Sequence, residues 1–251
     1  MFATVLSSLV LAAATPDPAV QAAHIASVLD PDRPFEARHA TCLELIAEDP
    51  DTALEAALAW TGQGGGFRAR HCGAMALFAL DHPGEAGARL DAVVADFGDR
   101  PDPKLDALRA NYSVEAAQAW LQADEPRRAY DAATRALDIA PNDTQARIVR
   151  ARVYFALERF ADAETDLTSA LAFAPDHAEA LRFRADARLK QGKLAAALED
   201  AEASLALEPS VDTMLVRGHI RQAQTKEAKA KEAQDKKAQN KVAPDDGPGT
   251  P

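Results

Sequence analysis

Apolar residues recur along this chain at intervals of three and four, not two. That spacing gathers side chains into one stripe on a helix, so helices are predicted throughout. Over residues 144–157 the apolar positions are Ile148, Ala151, Tyr154 and Phe155. After a turn at Glu158-Arg159 they resume at Ala163, Leu167, Ala170 and Leu171. Residues 178–190 repeat the first pattern with Leu181, Ala185 and Leu189. Gln191-Gly192-Lys193 then makes a turn, and Ala197, Ala201, Ser204 and Leu205 mark the next helix. Prolines punctuate the pattern. Pro141, Pro175 and Pro209 stand 34 residues apart, each closing an apolar run where a helix must stop.

Residues 35–98 predict two further helical hairpins, Phe35–Ala47 with Asp51–Trp60 and Phe67–Leu80 with Gly84–Phe97. Ala37-Arg38-His39 recurs as Ala69-Arg70-His71, 32 residues on. Gly62-Gln63-Gly64-Gly65-Gly66 reads as a flexible connector, and no Gly-Lys-Ser/Thr follows to make it a phosphate loop. Composition strengthens the helical reading. Alanine supplies 58 of 251 residues and aromatics only 6 %, favouring helices that approach closely over strands. The chain is all-α.

Together these positions resemble the tetratricopeptide repeat (TPR) family. Ala151, Tyr154, Ala163, Leu167, Ala170 and Pro175 carry the resemblance in one unit, and Leu181, Ala185, Gly192, Ala197, Ala201, Ser204 and Pro209 in the next. Ala117, Trp120, Ala129, Ala133, Ala136 and Pro141 carry it more loosely in the unit before, and Met214 to Gly218 begin a partial fourth. The resemblance implies a right-handed α-α superhelix, a solenoid of antiparallel helix pairs. On that basis 104–209 holds three units, 35–98 two degenerate TPR-like hairpins, 15–34 an N-terminal helix and linker, and 212–225 a capping helix.

The family also implies a groove lined by the first helix of each pair. Transferred by phase, its residues are Gln118, Gln122, Gln145, Val149, Arg152 and Phe155, then Arg182, Phe183, Asp186 and Lys190. This mixture of aromatics and arginines suits an extended or helical peptide bearing acidic groups; the alternative is that Phe155 and Phe183 are core. The phases by which chaperone-binding members grip a terminal carboxylate hold Val114, Gln118, Ile148, Arg152, Arg182 and Asp186, which do not match. The implied function is a non-enzymatic scaffold for a protein or peptide partner, with a regulatory or accessory subunit of an envelope enzyme complex as the alternative.

Other features are read from the residues themselves. Arg150 and Arg184 share one phase, and Asp166 and Asp200 follow each by 16 residues on the opposing helix, whereas Ala116 and Ala132 hold those places in the preceding unit. Intra-repeat ion pairs Arg150–Asp166 and Arg184–Asp200 are predicted. The cysteines, Cys42 and Cys72, sit near His39 and His71. A disulfide, two reduced buried thiols or a shared zinc ion are the readings, with zinc disfavoured because adjacent helical residues diverge. No cofactor fingerprint or nucleophile motif appears.

The net charge of −11 argues against nucleic acid as a partner. Residues 1–14 are uncharged and apolar and end in Ala12-Ala13-Ala14, as in a cleavable signal peptide; export to the periplasm or beyond is expected, with no membrane span in the mature chain. Residues 226–251 read as a Lys/Ala-rich helical extension and a disordered tail.

Overall fold

A computed structural model describes residues 17–98 and 102–242, which divide into two compact units at residue 98. Every regular element among the described residues is an α-helix. The expected signal peptide, 1–14, and the end of the expected tail, 243–251, lie outside the described residues.

The first unit contains α1 (Pro18–Leu29), α2 (Phe35–Glu48), α3 (Pro50–Gly62), α4 (Gly66–Ala79) and α5 (Pro83–Asp96). Asp49 separates α2 from α3: its carboxylate accepts the Thr52 amide at 3.1 Å and the Thr52 hydroxyl at 2.8 Å, and Pro50 starts the new helix. These bonds from Thr52 hold the Asp49 carboxyl below its ordinary range. The glycine run after α3 is a tight turn, not a flexible connector. The Gly65 amide bonds back to the Trp60 carbonyl at 2.9 Å, and a Cβ at Gly65 would stand 2.6–2.8 Å from Ala69 and the Trp60 ring. Helices α2 and α4 pack on each other, and each also packs on α3.

The second unit contains α6 (Pro103–Gln122), α7 (Pro126–Ile139), α8 (Thr144–Ala156), α9 (Phe160–Phe173), α10 (Ala178–Lys190), α11 (Leu194–Leu207) and α12 (Val211–Val242). Each pair, α6/α7, α8/α9 and α10/α11, packs internally, and α6, α8, α10 and α12 touch in sequence. The small residues of the repeat explain the close approach: Ala151, Ala163, Ala170, Ala185, Ala197 and Ser204 are all buried.

Each within-pair turn after α4, α6, α8 and α10 has a left-handed residue, Asp81, Asp124, Glu158 and Gly192. The next amide bonds back to the helix five residues earlier, as His82 to Leu77 at 2.9 Å and Arg159 to Tyr154 at 2.8 Å. The four pairs therefore share one register. Helix α12 ends the stack by burying Ile220 against Ala185, Ala197 and Ala201. It shows no break at residue 225; 211–242 is one helix, and residues 225–237 are all exposed. Alanine, lysine and glutamate have the propensity to continue a helix that has nothing left to bury.

Candidate partner-binding groove

The groove residues sit on α6, α8 and α10. At its centre Phe155 and Phe183 lie with ring centroids 6.0 Å apart, and Phe160 adds a third ring 5.5 Å from Phe155. Two guanidinium groups share the Phe183 ring, Arg182 at 4.0 Å and Arg152 at 5.7 Å from its centroid. Phe155 and Phe183 are half-buried and pack against the core formed by Ile148, Tyr154 and Leu181, so they serve core and surface at once. Around them Gln122, Gln145 and Lys190 are exposed, and Gln118 and Asp186 are half-buried.

Val149 does not belong to the groove. It is fully buried, because α8 packs against α6, α7, α9 and α10 together and its phase points inward. Asp186 has the opposite character. It accepts no hydrogen bond among the described residues, and burial pushes its carboxyl up against the pull of Lys190, Arg182 and His219.

The arginines of the repeat fall into two sets. Arg150 grips Asp166 through two bonds, 2.7 and 2.8 Å, and Arg184 grips Asp200 at 2.8 and 2.7 Å. Arg188 adds a cross-link that the 16-residue spacing did not reveal, bonding Asp200 at 2.7 Å and Glu164 on the neighbouring pair at 2.9 Å. Burial opposes ionisation of Glu164, but bonds from Lys193, Arg188 and Gln191 outweigh it and hold its carboxyl down at about 2. Arg152 and Arg182 form no ion pair or hydrogen bond among the described residues; each lies over the Phe183 ring, and Arg182 also acts on the Asp186 carboxyl.

In the first unit Cys42 and Cys72 are joined by a disulfide, Cα–Cα 6.2 Å, tying α2 to α4. Neither thiol is left for a nucleophile or a zinc ion. Beside the bond, His39 Nε2 and His71 Nδ1 are 2.9 Å apart. Burial, then the nearby His71 and Arg68, lower His39 from 6.5 to about 4. The recurring Ala-Arg-His triplet was the sequence signal for this pair. Among the described residues no group of three or more metal-ligating side chains gathers, and no helix is long and apolar enough to cross a membrane.

Residues 121–187 match the family model for the tetratricopeptide repeat. RNA polymerase II-associated protein 3 of Xenopus laevis is 31 % identical over 114 residues, 45 % of this chain and 17 % of that protein. The chain thus spans about a sixth of the length of that relative. A tetratricopeptide repeat protein from Parabacteroides merdae ATCC 43184 is 17 % identical with a TM-score of 0.58, covering 86 % of this chain and 82 % of that one. MamA, residues 41 to the end, from Desulfovibrio magneticus RS-1 is 17 % identical with a TM-score of 0.57, over 71 % and 95 % of the two chains. Both structures share the fold. Repeat register, packing order and the match over residues 121–187 agree: the chain carries tetratricopeptide repeats.

Proposed function

We propose that the protein is a non-catalytic scaffold whose α8–α10 groove holds a peptide or protein segment carrying acidic groups. The observation behind this reading is the contrast between the two sets of arginines. Arg150, Arg184 and Arg188 are neutralised by carboxylates inside the stack. Arg152 and Arg182 present unpaired charge over an aromatic surface. A carboxylate placed there gains charge-assisted hydrogen bonds from two half-buried guanidinium groups, while an apolar neighbour covers Phe155.

Photo-crosslinking tests the location. A crosslinker at exposed Gln145 should capture an acidic segment, and one at exposed Ala203 on α11 should not. Equal capture at both sites, or capture at Ala203 alone, overturns the reading.

The setting we propose is the cell envelope. The apolar leader pattern of 1–14 supports it, as does the Cys42–Cys72 bond, since disulfides persist in oxidising compartments. The mass of the protein recovered from a periplasmic extract should correspond to a chain cut near Ala14. An uncut, cytosolic protein contradicts the placement.

A further inference from the structure

In the α8/α9 and α10/α11 pairs of the second unit a long side chain and its counter-charge fill the slot between the helices. Counting eight residues back from each left-handed turn residue gives Arg184, Arg150, Ala116 and, in the first unit, Gly73. Sixteen residues further along from these positions lie Asp200, Asp166, Ala132 and Arg89. The α4/α5 pair therefore lacks the arginine, as α6/α7 does with Ala116 and Ala132, and carries an arginine where α8/α9 and α10/α11 have aspartate. Its slot is open.

The result is a cavity of about 330 Å³ between α3, α4 and α5. It is lined by buried Ala57, Ala69 and Gly73, by exposed Ala92, and by Leu58, half-exposed at 51 %. A Cβ added at Gly73 would meet Ala57 at 3.5 Å and Arg89 Nη1 at 3.8 Å, so that guanidinium nitrogen is aimed over the glycine. Arg89 Nη2 bonds Glu85 at 2.7 Å, and Arg70, also lining the cavity, pairs with Asp96. Both carboxylates are more than half exposed, which leaves each ion pair weak.

We propose that this cavity binds a small organic anion with an apolar body, a medium-chain or aromatic carboxylate. The volume lies at the small end for ligand pockets, and its surface is mainly alkyl, with two arginines, Arg70 and Arg89, and Thr61 in the lining. Arginine on an apolar wall selects a planar anionic headgroup, because the guanidinium donates two parallel hydrogen bonds to a carboxylate. The apolar tail would take the space that the arginine side chain fills in α8/α9 and α10/α11. The site is separate from the groove of the second unit, and the two can fail independently.

The test uses the full chain with octanoate and its uncharged analogue octanamide, read by calorimetry and by methyl chemical shifts of Ala57, Ala69 and Ala92. Octanoate should saturate with a dissociation constant on the order of 0.1 mM, shifting those methyls, and octanamide should bind at least about tenfold more weakly. Gly73→Leu fills the cavity, and Arg89→Gln removes the cation from a partly exposed position. Each should lower octanoate affinity at least about tenfold with no fall in unfolding temperature. The proposal is overturned by absent or unsaturable binding, by equal affinity for octanamide, or by undiminished binding in folded Arg89→Gln. Self-association dependent on Gly73, with no octanoate bound, would make the cavity a socket for a second copy and also overturn it.

Discussion

Arg150 and Arg184 bring charge into a core built mainly of alanine. Each guanidinium is held by two bonds to one carboxylate, with the arginine side chains 19 % and 16 % exposed and the aspartates 7 % and 6 %. Breaking such a pair is costly because the remaining charge stays buried. Arg150→Met leaves Asp166 with only Arg147 at 3.9 Å, and a loss of about 2–3 kcal/mol is expected in urea unfolding. The double variant Arg150→Met/Asp166→Leu should recover most of that loss. His39 supplies a pH test. Its folded value, about 4, lies below the ordinary 6.5, so the folded chain binds the proton less tightly than the unfolded chain. Stability is full above pH 6.5 and falls as the pH drops from 6.5 towards 4, by about 1–2 kcal/mol after allowance for partial exposure. His39→Gln should flatten this part of the profile, and an unchanged slope would remove His39 as its source. The Arg–Asp spacing was legible because two successive repeats carry it. The burial of Val149 was not, since residues one apart on α8 differ only in which neighbouring helix they face, and that is decided by packing.

The elements follow from proline, aspartate and alanine, and most of their limits are visible in the chain. Asp49-Pro50 ends one helix and caps the next, and the 34-residue spacing of prolines marks the pair boundaries. Helix α12 was harder to read, because Ala, Lys and Gln propensity shows where a helix can continue but not where packing ends. Its first turns carry the stability. Ile220→Ala should cost about 2–4 kcal/mol by opening the contact with Ala185, Ala197 and Ala201, whereas deletion from residue 226 onward should cost less than about 0.5 kcal/mol. The disulfide closes a separation of 30 residues between α2 and α4. Replacing both cysteines with serine should remove about 3–4 kcal/mol from the first unit by the loop-entropy model. Trp60, buried beside the bond, and Trp120, in the second unit, let fluorescence of single-tryptophan variants separate the two transitions. Only the Trp60 transition should move.

At the scale of the molecule, one repeat plan serves two purposes. Where the slot between helices receives arginine and aspartate, the stack closes on itself; where it receives Gly73 and Arg89, it stays open. Charge that is not consumed inside the second unit appears on the groove as Arg152 and Arg182. The kind of surface could be read from sequence phase, but the distinction between satisfied and unsatisfied arginines could not, because it depends on which carboxylates come within reach after folding. The central claim is that those two arginines recognise acidic segments. Its most direct test is selection of a random-peptide library on the full chain, followed by titration of the selected peptides against the wild type and Arg152→Glu/Arg182→Glu. Peptides rich in Asp and Glu should be selected, and the folded double variant should bind them at least about tenfold more weakly. Selection of neutral or basic peptides, or undiminished affinity in the double variant, would contradict the account.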